Sequence, residues 1–409
     1  MDHGQLIPHL FRTEYRKIVS VLCKRFGLGR MGTAEDIAGE TFLAAAQTWG
    51  VAGIPPSPTA WLYHVAKNKA RNHLLRESTM AQSASEVPDR AGEFHEPEID
   101  LSPHNIEDSQ LKMMFAICHP SIPREAQIGL SLRILCGFGI EEIAEAFLTS
   151  KDTINKRLFR AKEKLRDEKV RIELPEPGEI DQRLETVLVT LYLLFNQGYY
   201  STTHNTTVRK ELCFEAIRLC TMLAENATTG KPVVHALLAL MYFQASRLDA
   251  RIGPQGEHVL YDEQDTAEWD IEMIAKGGYF LHRAAQGTRV SKYHLEAAIA
   301  YWHTQKTGQS EKWENILQLY NLLLQIEYSP IAALNRTYAL ARANGKQQAI
   351  GEAEKLNLHD NQFYWVLLGE LYTGIDNHRA KQHFDRAYSL AKTETDKQII
   401  QRKMKALSV

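Results

Sequence analysis

The sequence predicts an all-α protein. Long stretches are dominated by Ala, Leu, Glu, Lys, Arg and Gln without Pro. Apolar residues recur at three- and four-residue spacing, and the breaks between such stretches are short, polar or Pro-rich. The 409 residues exceed what one compact core accommodates, so roughly two to four domains are expected. With 44% hydrophobic and 24% charged residues, the composition is that of an ordinary soluble protein. The formal net charge is only -2, so partners must be read from where the charge lies.

Three helices are expected first, over roughly 9–27, 33–48 and 57–76. The middle one, GTAEDIAGETFLAAAQTW, has Thr33 as its cap and Glu35 and Asp36 in its first turn, where acids favour the helix dipole. Its Ile37, Phe42, Leu43 and Ala46 are placed inward, and Glu35, Asp36, Glu40 and Thr41 outward. The third helix follows a Pro-rich loop. From Trp61 to Arg76 it carries Lys67, Lys69, Arg71 and Arg76 and no acid, a local cationic surface with Trp61, Tyr63, His64, Asn68 and Asn72.

The charge then reverses over 78–110, where eight acids stand against Arg90, and Pro88, Pro97 and Pro103 oppose a helix. That segment reads as an extended acidic linker. Helical periodicity returns at Leu111 and leads to GIEEIAEAFLTSKDTINKRLFRAKEKLRD. Ile140, Ile143, Ala144 and Phe147 share one face, and Ile154, Leu158, Ala161 and Leu165 share another, with Thr149 and Ser150 as caps between them. Leu148 occupies the turn position where Gly is usual. Two short amphipathic helices joined by a tight turn form a helix-turn-helix, whose second helix meets base edges near its N-terminus. Lys151, Asp152, Asn155, Lys156, Arg157 and Arg160 are its residues outside the core stripe. Asn pairs with adenine, and Arg or Lys with guanine or phosphate.

The acidic helix AEDIAGETFLAA, the segment SPTAWLYHVAKNKARNHLLRE, the acidic linker and the helix-turn-helix follow one another over residues 9 to about 170. In order, spacing and type they resemble regions 2 and 4 of the extracytoplasmic-function subfamily of sigma-70 RNA polymerase sigma factors. The resemblance implies a region 2 bundle at 1–77, the linker at 78–110 and region 4 at 111–173. It further implies that Glu35, Asp36, Glu40 and Thr41 dock on core RNA polymerase. Trp61, His64, Lys67, Asn68, Arg71 and Asn72 would open the minus-ten promoter element, and the helix-turn-helix would read the minus-thirty-five element as duplex DNA. Gly39 and Asn72 depart from the family, which often has Gln and Asp there.

Residues 180–409 read as a long helical domain. Trp365, Leu368, Gly369, Tyr372, Ala380, Phe384 and Ala387 follow a tetratricopeptide pattern, and Ala333, Leu334, Tyr338, Ala341, Gly345, Ala349, Ala353 and Leu356 a weaker copy. An α-solenoid with such repeats near 330–392 is expected. The stretches LVTLYLLFNQGYYST, ELCFEAIRLCTMLA, VHALLALMYFQASRLDAR and VLYDEQDTAEWD resemble the extension of one subgroup of these sigma factors. That implies a regulatory domain, with an unidentified regulatory protein or ligand as its partner. Gly198 reads as a helix C-cap, and Asp249, Asp262, Glu263 and Asp265 as a solvated loop.

No apolar run approaches the roughly 20 residues of a membrane span, and the N-terminus lacks a signal-peptide core, so a cytoplasmic protein without membrane attachment is expected. The five cysteines are scattered outside any CxxC pair and read as buried thiols. No phosphate loop, nucleophile elbow or paired-His zinc motif occurs, so neither an enzyme nor a cofactor is expected. The alternative is a helix-turn-helix regulator with a helical sensor domain, which would not bind core polymerase.

Overall fold

The computed structural model describes residues 3–84, 99–147, 149–199, 206–251, 259, 261–305, 309–391 and 394–407. Within them the chain is helical and has no strand. It divides into two compact units, Met1–Thr229 and Gly230–Val409.

The first unit opens with α1 (His3–Phe26), α2 (Met31–Ala52) and α3 (Pro58–Ala84). Tyr15, Ile18, Val19 and Leu22 of α1 are all buried and form one stripe at three- and four-residue spacing, against which α2 and α3 pack. α2 begins at Met31, so Thr33 lies inside the helix rather than at its cap; the N-cap is Arg30, with no side-chain bond. Ile37 and Phe42 are buried as expected. Leu43, at 57% exposure, and Ala46 instead face outward, and Thr41 is fully buried, its hydroxyl donating to Ile37 O at 2.7 Å. The helix starts two residues earlier than expected, and its buried stripe, Ala34, Ile37, Ala38, Thr41, Phe42, Ala45 and Trp49, runs through Thr41 and leaves Leu43 about 100° further round, in solvent.

The expected linker is narrower than 78–110. α3 continues to Ala84, and α4 (Pro103–Ile117) starts where Pro103 was read as a break. Pro103 sits at the first helical position, where a missing N–H costs nothing, and Ser102 caps the helix by accepting from Asn105 N at 3.4 Å. The acids from Glu86 to Glu98 lie outside the described residues, as does Leu148.

α5 (Arg124–Leu130) runs into a π-helical turn at Ser131–Leu135, after which Gly137 turns the chain with φ +76°. A Cβ there would stand 3.0 Å from Arg12 O of α1, so both the conformation and the close approach require glycine. α6 (Ile140–Ala146) and α7 (Lys151–Asp167) form the helix-turn-helix. Ile154, Leu158, Ala161 and Leu165 are buried, and Ser150 caps α7 by accepting from Thr153 N at 3.2 Å.

α8 (Ile180–Tyr199) and α9 (Thr206–Glu225) also belong to this first unit, so the boundary falls near 229 rather than 180. Arg183 donates to Phe115 O at 2.6 Å, Thr190 to Gln127 Oε1 at 3.0 Å, and Arg218 to Leu135 O at 2.8 Å. Apolar periodicity identifies helices but not their neighbours, so it could not reveal this attachment. Gly198 lies within α8 and is not a C-cap.

The second unit begins with α10 (Pro232–Ala245), α11 (Ile271–Ala284) and α12 (Lys292–Thr304). α13 (Gln309–Ile326), α14 (Pro330–Asn344), α15 (Lys346–Lys355), α16 (Gln362–Tyr372), α17 (Asn377–Leu390) and α18 (Glu394–Ala406) then pack mainly each on its neighbour in the chain. Leu368, Tyr372, Ala380, Phe384 and Ala387 are buried in the shared core of these helices, and Trp365 packs against it. A Cβ on Gly369 would lie 2.6 Å from the Phe384 ring, so the glycine brings α16 and α17 together. Among the described residues no helix is long and apolar enough to cross a membrane.

Candidate nucleic-acid interface

On α3, residues His64, Lys67, Asn68, Arg71 and Asn72 are all exposed. Their spacing of three or four puts them on one face of the helix. Asn68 Nδ2 lies 2.9 Å from His64 Nε2, which gathers two hydrogen-bonding groups at one place on that face. The opposite face holds Leu62, Ala66 and Ala70 in the core. Trp61 is half-buried, edge-on to Trp49 with ring centroids 5.4 Å apart. Tyr63 is turned away from this face and donates to Glu14 Oε2 at 2.6 Å; burial, then that bond, pushes its phenol far above the ordinary range.

Lys151, Asp152, Asn155, Lys156 and Arg160 of α7 are exposed. Arg157 is only half-exposed because its guanidinium covers the Phe147 ring at 5.4 Å, joining α7 to the end of α6. Lys151 pairs with Glu141 of α6. A cleft between α7 and the segment 121–126 is lined by Thr153, Lys156, Arg157, Arg160 and Lys164 on one side and by Ser121 to Pro123 on the other. Phe159, 64% exposed beside Arg160, escaped the sequence reading; an apolar ring there suits contact with a thymine methyl. It breaks the α7 core stripe by one position, and that was its only sequence signal.

The acidic positions of α2 separate into two sets. Asp36 and Glu40 are exposed, and Glu40 pairs with Lys69 of α3 at 2.8 Å. Glu35 was expected to be exposed with them, but its side chain is 13% exposed and is held by Arg133 at 3.2 Å and by Lys162 of α7. Thr41, fully buried, cannot present its hydroxyl to a partner. Phe11, Tyr15, Glu35, Asp36, Glu40 and Arg133 line a shallow cleft at this surface. Arg133 also donates to Phe138 O at 3.1 Å and lies over the Tyr15 ring at 5.4 Å.

The three-helix module and the helix-turn-helix are therefore packed together. Arg12 of α1 bridges Glu142 of α6, at 2.6 Å, and Glu211 of α9, while Arg16 pairs with Glu215 of α9. None of these partners was legible in the sequence, because they are separated by 98 to 199 residues. All five cysteines are buried. Burial pushes the Cys118 thiol up to about 11, which leaves it a poor thiolate.

Residues 10–79 match the family model for sigma-70 region 2, and residues 118–165 match that for sigma-70 region 4. Residues 183–285 match a family of unknown function (DUF6596). An uncharacterized protein of Rhizobium meliloti is 31% identical over 367 residues, 88% of this chain and 86% of that protein. The RNA polymerase sigma-H factor of Pseudomonas aeruginosa is 31% identical over 137 residues, 32% of this chain and 69% of that protein. The ECF RNA polymerase sigma-E factor of Salmonella typhimurium is 26% identical over 166 residues, 40% of this chain and 85% of that protein. No solved structure matches the chain.

Proposed function

Because this chain belongs to the sigma-70 family of RNA polymerase sigma factors, in its extracytoplasmic-function type, we propose a division of its work among four surfaces. α2 docks core RNA polymerase, α3 opens the minus-ten element, α7 reads the minus-thirty-five element, and the helices from 180 onward regulate all three. Direction of transcription initiation comes with the family; the assignment of surfaces is the proposal.

The observation that carries it is the exposed row His64, Lys67, Asn68, Arg71 and Asn72 on α3, with the half-buried Trp61 at its start. Holding a displaced strand needs phosphate charge along a track and a flat surface on which a base can stack. Reading a duplex needs a helix narrow enough for the major groove with base-pairing side chains near its N-terminus. Asn155 and Lys156 on the exposed side of α7 meet that need. Asp36 and Glu40 give α2 its two open acids for a basic polymerase surface.

The two promoter elements lie about 25 base pairs apart, or about 85 Å at 3.4 Å per base pair. A compact unit of this size is only about 45 Å across, so the closed packing must open before both elements are engaged together. α8 and α9 oppose opening, since their Glu211 and Glu215 hold α1 while Arg183, Thr190 and Arg218 hold the region 4 side.

Run-off transcription with purified core polymerase tests the reading. The full chain should confer initiation from a cognate promoter on core enzyme. Binding to the promoter without any transcript would replace it with a regulator that does not use core polymerase.

A further inference from the structure

The second unit holds a group of cations, two of them buried, that its acids do not balance among the described residues. Arg247, just beyond α10, is 8% exposed, with its guanidinium over the rings of Tyr261 at 5.4 Å and Trp269 at 5.9 Å. Its Nε is buried and has no hydrogen-bond partner among the described residues, and the same holds for Trp269 Nε1. Lys312 of α13 is 6% exposed. It donates to Tyr261 Oη at 2.6 Å and to Gln305 O at 3.0 Å, which leaves one of its three N–H groups. Tyr261 Oη passes its own proton toward His303 O at 2.8 Å, so it can only accept from the lysine.

Arg342 of α14 lies at the solvent end of this group, 4.7 Å over the Trp313 ring, with its side chain 27% exposed. The carboxylate it meets is Asp262, at 3.0 Å, and that side chain is 59% exposed. Asp262 is solvent-exposed, as expected of a solvated loop, and it also stands as the anion at the mouth of a cationic cluster. Burial, then repulsion from Arg247 and Arg342, pushes the Lys312 ammonium down to about 8, with Asp262 opposing. Buried cations normally come with paired anions. Here, among the described residues, three cations share one carboxylate that stands largely in water.

We propose that Arg247, Lys312 and Arg342 form a binding site for a small oxyanion, a phosphate or a carboxylate, which displaces Asp262 from Arg342. Guanidinium groups grip the oxygens of either anion through paired N–H donors, and the flanking Tyr261, Trp269 and Trp313 rings lower the local dielectric and strengthen that grip. As a binding site this stands apart from the function proposed above; only as an input to transcription does it rest on it.

The test is calorimetric titration of the full chain, without polymerase or DNA, at constant ionic strength. Inorganic phosphate is the titrant in one arm and succinate in the other. Saturable binding is expected in at least one arm, and the arm that responds identifies the anion class. Asp262→Asn, at an exposed position, should tighten that binding severalfold by removing the competing carboxylate. Arg342→Gln should weaken it at least tenfold. The absence of saturable binding in both arms, for the native chain and for Asp262→Asn alike, would overturn the site. Binding that Arg342→Gln leaves unchanged would do the same.

Discussion

Glu35 of α2 accepts a hydrogen bond from Arg133 Nε at 3.2 Å and also pairs with Lys162 of α7, so one carboxylate of region 2 holds two cations of region 4. An isolated surface ion pair contributes little, but this carboxylate is only 13% exposed. Glu35→Gln keeps the shape and leaves the two cations facing each other. It should destabilise the first unit by about 2 kcal/mol, less than the full cost of breaking a buried pair. The melting temperature should fall by several degrees and the radius of gyration in solution scattering should rise. If neither changes, the pairing of Glu35 with Arg133 and Lys162 does not hold the two regions together.

Polymerase docking is assigned to Asp36 and Glu40. Reversing both to Lys should abolish co-purification with core polymerase and leave the helical circular dichroism as it was. The pairing of Glu40 with Lys69 is surface-exposed, so its loss should cost no more than about 1 kcal/mol. Undiminished co-purification would remove the assignment.

If α3 and α7 divide promoter opening and duplex reading as proposed, their variants should fail in different assays. Lys67→Ala with Arg71→Ala should impair promoter opening, read as permanganate-reactive thymines, more than binding to an isolated upstream duplex. Asn155→Ala with Lys156→Ala should do the reverse. Each lost phosphate contact should also lower the salt dependence of binding by about one unit of slope. Equal effects of both pairs in both assays would mean that the roles are misassigned.

Truncation should be made at 229, because a cut at 180 strips α8 and α9 from the unit they pack in. Residues 1–229 should remain folded and keep affinity for minus-thirty-five duplex through α7. Their transcription output with core polymerase should differ severalfold from that of the full chain, with loss expected. A folded truncation that transcribes at the full-length rate would end the regulatory role of the second unit.

Acid stability reports on His303, whose Nδ1 is buried and has no partner among the described residues, with the Tyr261 and Trp313 rings packed on its imidazole. Burial, then repulsion from Arg247 and Lys312, pushes that imidazole down to about 3 from 6.5. Between those values the unfolded chain binds a proton that the folded chain refuses. Stability is therefore full above pH 6.5 and falls as the pH drops toward 3, by at most about 1.4 kcal/mol per pH unit from this group. His303→Phe keeps a ring in place and should flatten the slope of denaturation midpoint against pH in that window. An unchanged slope would show that His303 does not carry the effect.

By itself the sequence determined what repeats locally. The 3.6-residue period fixed the helices, and the core stripe Ile154, Leu158, Ala161 and Leu165 fixed which side of α7 faces out. The charge-free-of-acid run after Trp61 fixed the exposed row of α3 in the same way. The edges of a buried face were less legible: on α2 the stripe Ile37, Thr41, Phe42 and Ala45 takes in the polar Thr41 and excludes the apolar Leu43, which a hydrophobicity pattern assigns the other way round. Tertiary structure alone decided which of the exposed acids stays open, because Glu35, Asp36 and Glu40 are equivalent in sequence until Arg133 and Lys162 arrive beside one of them. It also decided that α8 and α9 belong to the same compact unit as α1 to α7 and that Asp262 meets Arg342. Such pairings join residues 80 to 199 positions apart, and no local pattern encodes them, because periodicity fixes the side of a helix that is buried and leaves open what it is buried against.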